Sequence, residues 1–125
     1  MIQSKDFLLR LMKDLSGMLN KLIGSYPDNT LGMSEADIEQ QVYTATGLTT
    51  EHFLQLDENA LNAAINENGV ENRTLVLDFL GNLFYHQYQV TGDKELLEKS
   101  KRMYNLFQEE SGTFSMVYFQ RTQQV

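Results

Sequence analysis

Between residues 7 and 23, nine apolar side chains fall on one side of a helix. On a wheel of about 100° per residue, Phe7, Leu8, Leu11, Met12, Leu15, Met18, Leu19, Leu22 and Ile23 form one continuous arc. Asp6, Arg10, Lys13, Asp14, Gly17, Asn20 and Lys21 occupy the other side, and only Leu9 strays. An arc this wide must be buried against more than one neighbour, so the segment demands a bundle around it. Within the arc, Leu8, Leu11, Leu15, Met18 and Leu22 alternate spacings of three and four. That seam is coiled-coil-like and is a candidate homodimer interface. The helix also has the form of a membrane-surface helix, but acids interrupt its polar face and its net charge is only +2.

Downstream the helical period recurs and no stretch alternates with a period of two. The only proline, Pro27, marks a loop together with Gly24 and Asn29. Ser34, followed by Glu35 and Asp37, has the form of an N-cap with acids in the first turn, and its helix should stop at Gly47. Thr49 or Thr50 caps a short helix, and Asp57 caps a longer one ended by Asn68 and Gly69. Residues 34–69 are rich in small side chains and poor in large apolar ones, so they read as an acidic connector packed on the rest. A long helix should run from about Asn72 to Thr91 and end at Gly92. Asp93 caps another, stopped by Gly112, and residues 113–125 make a short helix or an ordered tail. The prediction is a single all-α domain over residues 1–125, a small bundle of about five to seven helices.

The stretch from Phe79 to Asp93 holds two Phe, two Tyr and a His. On the wheel, Val76, Leu77, Phe79, Leu80, Leu83, Phe84, Tyr88 and Val90 take one half, with Gln87 among them. Tyr85 shares the opposite face with Asp78, Asn82 and Gln89, and Leu75 and His86 lie along its edge. That face is the candidate contact surface. Leu80, Gly81 and Phe84 match the Leu-Gly-x-x-aromatic signature in the first helix of the tetratricopeptide (TPR) repeat, which this segment resembles. The Gly92-Asp93 turn and the helix after it, with Ser100 as its small residue, are similar to the second half of that repeat. The resemblance covers residues 75–107, without a second copy, and the first helix is about a turn too long before Gly92. It implies a TPR-like hairpin whose first helix presents Leu75, Asp78, Asn82, Tyr85 and His86 to a peptide or helix. The opening helix, the stretch from Leu96 to Phe107 and the ending from Ser111 to Arg121 together resemble a small bacterial family of unknown function, which brings no activity with it.

Chemistry is constrained mainly by what is missing. There is no cysteine, hence no thiolate nucleophile, thiolate zinc site or disulfide. His52 and His86 have no partner spacing that suggests a metal, and no glycine-rich phosphate loop occurs. No enzyme activity, cofactor or metal is expected. Residues 26–72 carry nine acids and no Lys or Arg in a chain of net charge −7, which disfavours nucleic acid. No apolar run is long enough to span a membrane and no leader opens the chain, so a cytoplasmic location is expected. The function read from the sequence is protein–protein interaction: self-association, binding of a peptide or helix on the TPR-like face, or both. The alternative is a small apolar ligand held between the first helix and the one carrying Phe79–Tyr88.

Overall fold

A computed structural model describes residues 5–29 and 31–125. Among these residues the chain is all-α, with seven α-helices and no strand. They are α1 (Lys5–Ser25), α2 (Glu35–Thr46), α3 (Thr50–Gln55), α4 (Glu58–Asn66), α5 (Arg73–Thr91), α6 (Lys94–Ser111) and α7 (Met116–Thr122), with a short 3-10 turn at Val70–Asn72. Local chemistry sets the boundaries. Ser34 accepts from the Asp37 amide while Asp37 accepts from the Ser34 amide, a reciprocal capping box. Thr49, Asp57, Asp93 and Ser115 cap α3, α4, α6 and α7 through their side-chain oxygens. Gly47, Gly92 and Gly112 close α2, α5 and α6 in the left-handed region, where a Cβ would be strained.

α5 is the axis of the fold. It packs most extensively on α6, then on α1, while α4 touches it near its start. Ser100 meets Gly81, and ten residues further along α6 Glu110 meets Arg73, eight residues back along α5, so the two helices form an antiparallel hairpin. The crossing is close because Gly81 has no side chain: a Cβ there would lie 2.7 Å from the Tyr104 ring. Ser100 is equally small, and its hydroxyl donates to the Gly81 carbonyl at 3.0 Å. Arg73 ties the open end of the hairpin, donating to both Glu110 carboxylate oxygens at 2.8 and 2.9 Å and to Asn62 and Asn66 of α4.

Two expectations are corrected by this packing. From Phe79 to His86 every residue of α5 is buried, so its polar side is not an open face. α1, α6 and α7 cover that side. Val90, assigned to the apolar arc, is exposed near the end of α5. The helix that carries the candidate dimer seam packs on α5 and α2, which bury part of it. Leu15 and Leu22 are buried, Leu8, Leu11 and Met18 are half-buried, and Leu11 packs on the main core. Phe7 stays exposed at one end of the arc. No helix among the described residues is long and apolar enough to cross a membrane.

Candidate functional site

Asp78, Asn82 and Tyr85 stand four and three residues apart on α5 and therefore share a face. α1 brings Ser16 to it, α6 brings Tyr104, and α7 lays Tyr118 and Arg121 across it. Asn82, only 1% exposed, is the hub. Its Oδ1 accepts from the Tyr104 hydroxyl at 2.7 Å and from Arg121 Nη1 at 3.1 Å. Its Nδ2 donates toward Ser16 Oγ at 2.9 Å, the Ser16 carbonyl at 3.3 Å and the Tyr118 hydroxyl at 3.3 Å. Two donors on the oxygen side and acceptors on the nitrogen side fix which way the amide points.

The hydrogen bonds run in one direction. Arg121 Nη1 donates to the Tyr104 hydroxyl at 3.0 Å, Tyr104 donates to Asn82, and Asn82 donates to Ser16 and Tyr118. Ser16 Oγ donates to Asp78 Oδ2 at 2.9 Å, and the Tyr118 hydroxyl donates to Asp78 Oδ1. A cation at one end and a carboxylate at the other are thus joined through neutral groups, each polarising the next. No ion pair to Arg121 occurs among the described residues, so this relay and three rings carry its charge. The guanidinium carbon lies 5.4, 5.8 and 5.5 Å from the ring centroids of Tyr85, Tyr104 and Tyr118. Tyr104 and Tyr118 stack at 4.3 Å, and Phe107 meets Tyr118 edge-on at 5.6 Å.

The phenols are held protonated, as donors in this relay must be. Burial pushes the Tyr104 hydroxyl well above the usual range, with Arg121 pulling the other way. Burial also raises Tyr118, and its hydrogen bond to Asp78 adds to the shift. Tyr85 is raised by burial and eased by Arg121.

Of the five residues assigned to the face by sequence, three are brought together. Tyr85, expected to be exposed or half-buried, is 7% exposed because α7 lies over it. Leu75 packs half-buried on the main core instead. His86 turns to α2, where its Nε2 stands 3.8 Å from Glu35 Oε1. Its Nδ1 has no hydrogen-bond partner, and burial lowers its pKa against the pull of Glu35. Gln87, set in the apolar arc by the wheel, is only half-buried and donates to Glu35 Oε2 at 2.9 Å. Ser16, Tyr104, Tyr118 and Arg121 escaped the sequence reading. The usable signal was Arg121, the one charged residue after Glu110, with a tyrosine three positions before it.

Among the described residues no group of three or more His, Cys, Asp or Glu gathers as a metal site. Asp78 accepts from two hydroxyls, and the whole arrangement is built to hold α7 in one register. Comparison with protein-family models, with curated proteins and with solved structures gives no match.

Proposed function

We propose that the chain is a non-enzymatic protein-interaction domain that holds a short helix on the face of Asp78, Asn82, Tyr85 and Tyr104. The supporting observation is that α7, seven residues long, sits there through only two buried side chains, Tyr118 and Arg121. A helix carrying Tyr and Arg three positions apart is therefore the ligand chemistry this face accepts. The TPR-like reading of α5 and α6 agrees with such a role, since the first helix of that repeat lines a peptide-binding concavity. In this reading α7 is the ligand in cis, and a partner helix of the same pattern competes with it. The test uses the full chain with Tyr118→Ala and Arg121→Ala, so that α7 is weakened, and a labelled peptide of residues 113–125. Saturable binding to this variant, lost when Asn82→Ala and Tyr85→Ala are added, is the expected result. A folded variant that does not bind the peptide removes the proposal.

Self-association has its own support, on α7 and not on α1. Phe114, Met116, Val117 and Phe119 are exposed at 65, 59, 48 and 44%, and the rings of Phe114 and Phe119 meet at 5.7 Å. α7 thus turns Tyr118 and Arg121 inward and apolar side chains outward. Residues 111–125 contain no acid, and Arg121 is buried. In a chain of net charge −7, a charge-free patch is where two copies meet without repulsion. Light scattering should show a mass that rises with concentration and stays monomeric in Phe114→Ser/Phe119→Ser; a wild-type chain monomeric throughout rules the patch out.

A further inference from the structure

We propose that a cavity bounded by α1, α4, α5 and the end of α2 through α3 is a binding site for an uncharged apolar molecule of about benzene size. The cavity measures about 110 Å³. Met12 of α1, Phe53 of α3 and Val76 and Phe79 of α5 wall it, while Ala45 of α2 and Ala64 of α4 leave the room. The room follows from the sequence: residues 34–69 are poor in large apolar groups, so they cannot fill what the broad arc of α1 and the Phe-rich α5 leave between them. It lies toward the start of α5, so it touches Phe79 and none of the face that holds α7. The proposal therefore does not rest on the helix-binding reading.

The lining selects the ligand. A buried water needs about two to four polar partners. The Thr46 hydroxyl, the polar group nearest the wall of α2, already donates to the Val42 carbonyl at 2.7 Å and accepts from the Leu48 amide at 3.1 Å. Among the described residues, buried side-chain atoms without a partner occur on Asn20, Thr50, His86 and Gln89, and none of these residues lines the cavity. An apolar molecule meets mostly apolar side chains here, nine of the twelve that line the cavity, and a cavity of roughly 150 Å³ lined by Leu, Ile and Phe takes benzene or xenon. Glu67 and Asn68, at the carbonyl end of α4, stand at the edge. Carboxylate and helix terminus together place negative charge there, so an anion of the same size is turned away.

The test heats the full chain with benzene, with xenon under pressure and with benzoate. Benzene and xenon should raise the melting temperature by a few degrees at saturation, and benzoate should not. Methyl NMR of the wild type should show Met12 moving with benzene while the methyls of Met103 and Met116 stay. Ala64→Leu, which occupies the room, should abolish the benzene response. No benzene-dependent change at Met12 overturns the site, and so does an equal response in a folded Ala64→Leu variant. A benzoate response equal to that of benzene overturns the assigned ligand class.

Discussion

The two sides of α5 solve the problem of burial in opposite ways. Toward α7 the interior is polar, and Ser16, Asp78, Asn82, Tyr104, Tyr118 and Arg121 satisfy one another in a single directed network. Toward α3 and α4 it is apolar and leaves a cavity of about 110 Å³. Hydrogen bonds have direction, so the first side accepts one register of α7 and no other. Apolar contact has none, so the second side tolerates small residues and loose fit. Specificity sits on one flank of the central helix and adaptability on the other.

The comparison breaks or sharpens under four changes. Asn82→Ala should have the largest effect, about 3 kcal/mol or more, because it leaves Tyr104, Arg121 and Ser16 buried with unmet hydrogen bonds. Urea unfolding measures it, and a loss below about 1 kcal/mol would mean that the polar side is dispensable.

Alkali should come next. Unfolded phenols release their protons near pH 10, whereas burial keeps Tyr104 and Tyr118 protonated in the folded chain. The unfolded state then binds fewer protons, so stability is full below pH 10 and falls as the pH rises further. A flat urea midpoint between pH 10 and 11.5 contradicts this, and Tyr104→Phe should shallow the fall.

Gly81→Ala tests the seam of the hairpin. The added methyl meets the Tyr104 ring at 2.7 Å, and that ring is pinned by its stack on Tyr118. Overpacking of about 1–3 kcal/mol outweighs the helix preference of Ala, so a net loss of about 1–2 kcal/mol is expected from thermal melts. On the apolar side, Ala64→Leu should change stability by less than about 1 kcal/mol, because room exists for it. A cost as large as that of Asn82→Ala would show the apolar flank to be equally exacting and would end the contrast.

Helix ends were legible because capping is local: Ser34, Asp57 and Asp93 start helices and Gly47, Gly92 and Gly112 stop them within a few residues of the signal. The all-α class followed from periodicity alone. The wheel also isolated Asp78, Asn82 and Tyr85 correctly as one face. It failed on exposure, because what lies over a face is decided by segments far along the chain. Arg121 stands 39 residues beyond Asn82, and Ser16 stands 66 residues before it. Leu75 and His86, on the border of the face, turned to the core and to Glu35 because neighbours crowd α5 on every side. The arc on α1 was real, and long-range packing divides its seam: Leu15 and Leu22 are buried, while Leu8, Leu11 and Met18 stay half-buried.

The Asn82 amide touches both the middle of α1, at Ser16, and α7, at Tyr118 and Arg121, and this orders events in time. Bringing Ser16 to Asn82 closes a loop of 66 residues, whereas α7 follows α6 after the short Gly112–Ser115 link. Loop closure of the longer kind is the costlier step. Until α1 is seated, Asn82 and Asp78 lack the Ser16 partner that orients them for Tyr118 and Arg121. α7 therefore docks late and lets go early, and the protection of its amides from hydrogen exchange reports whether the first helix of the same molecule has folded.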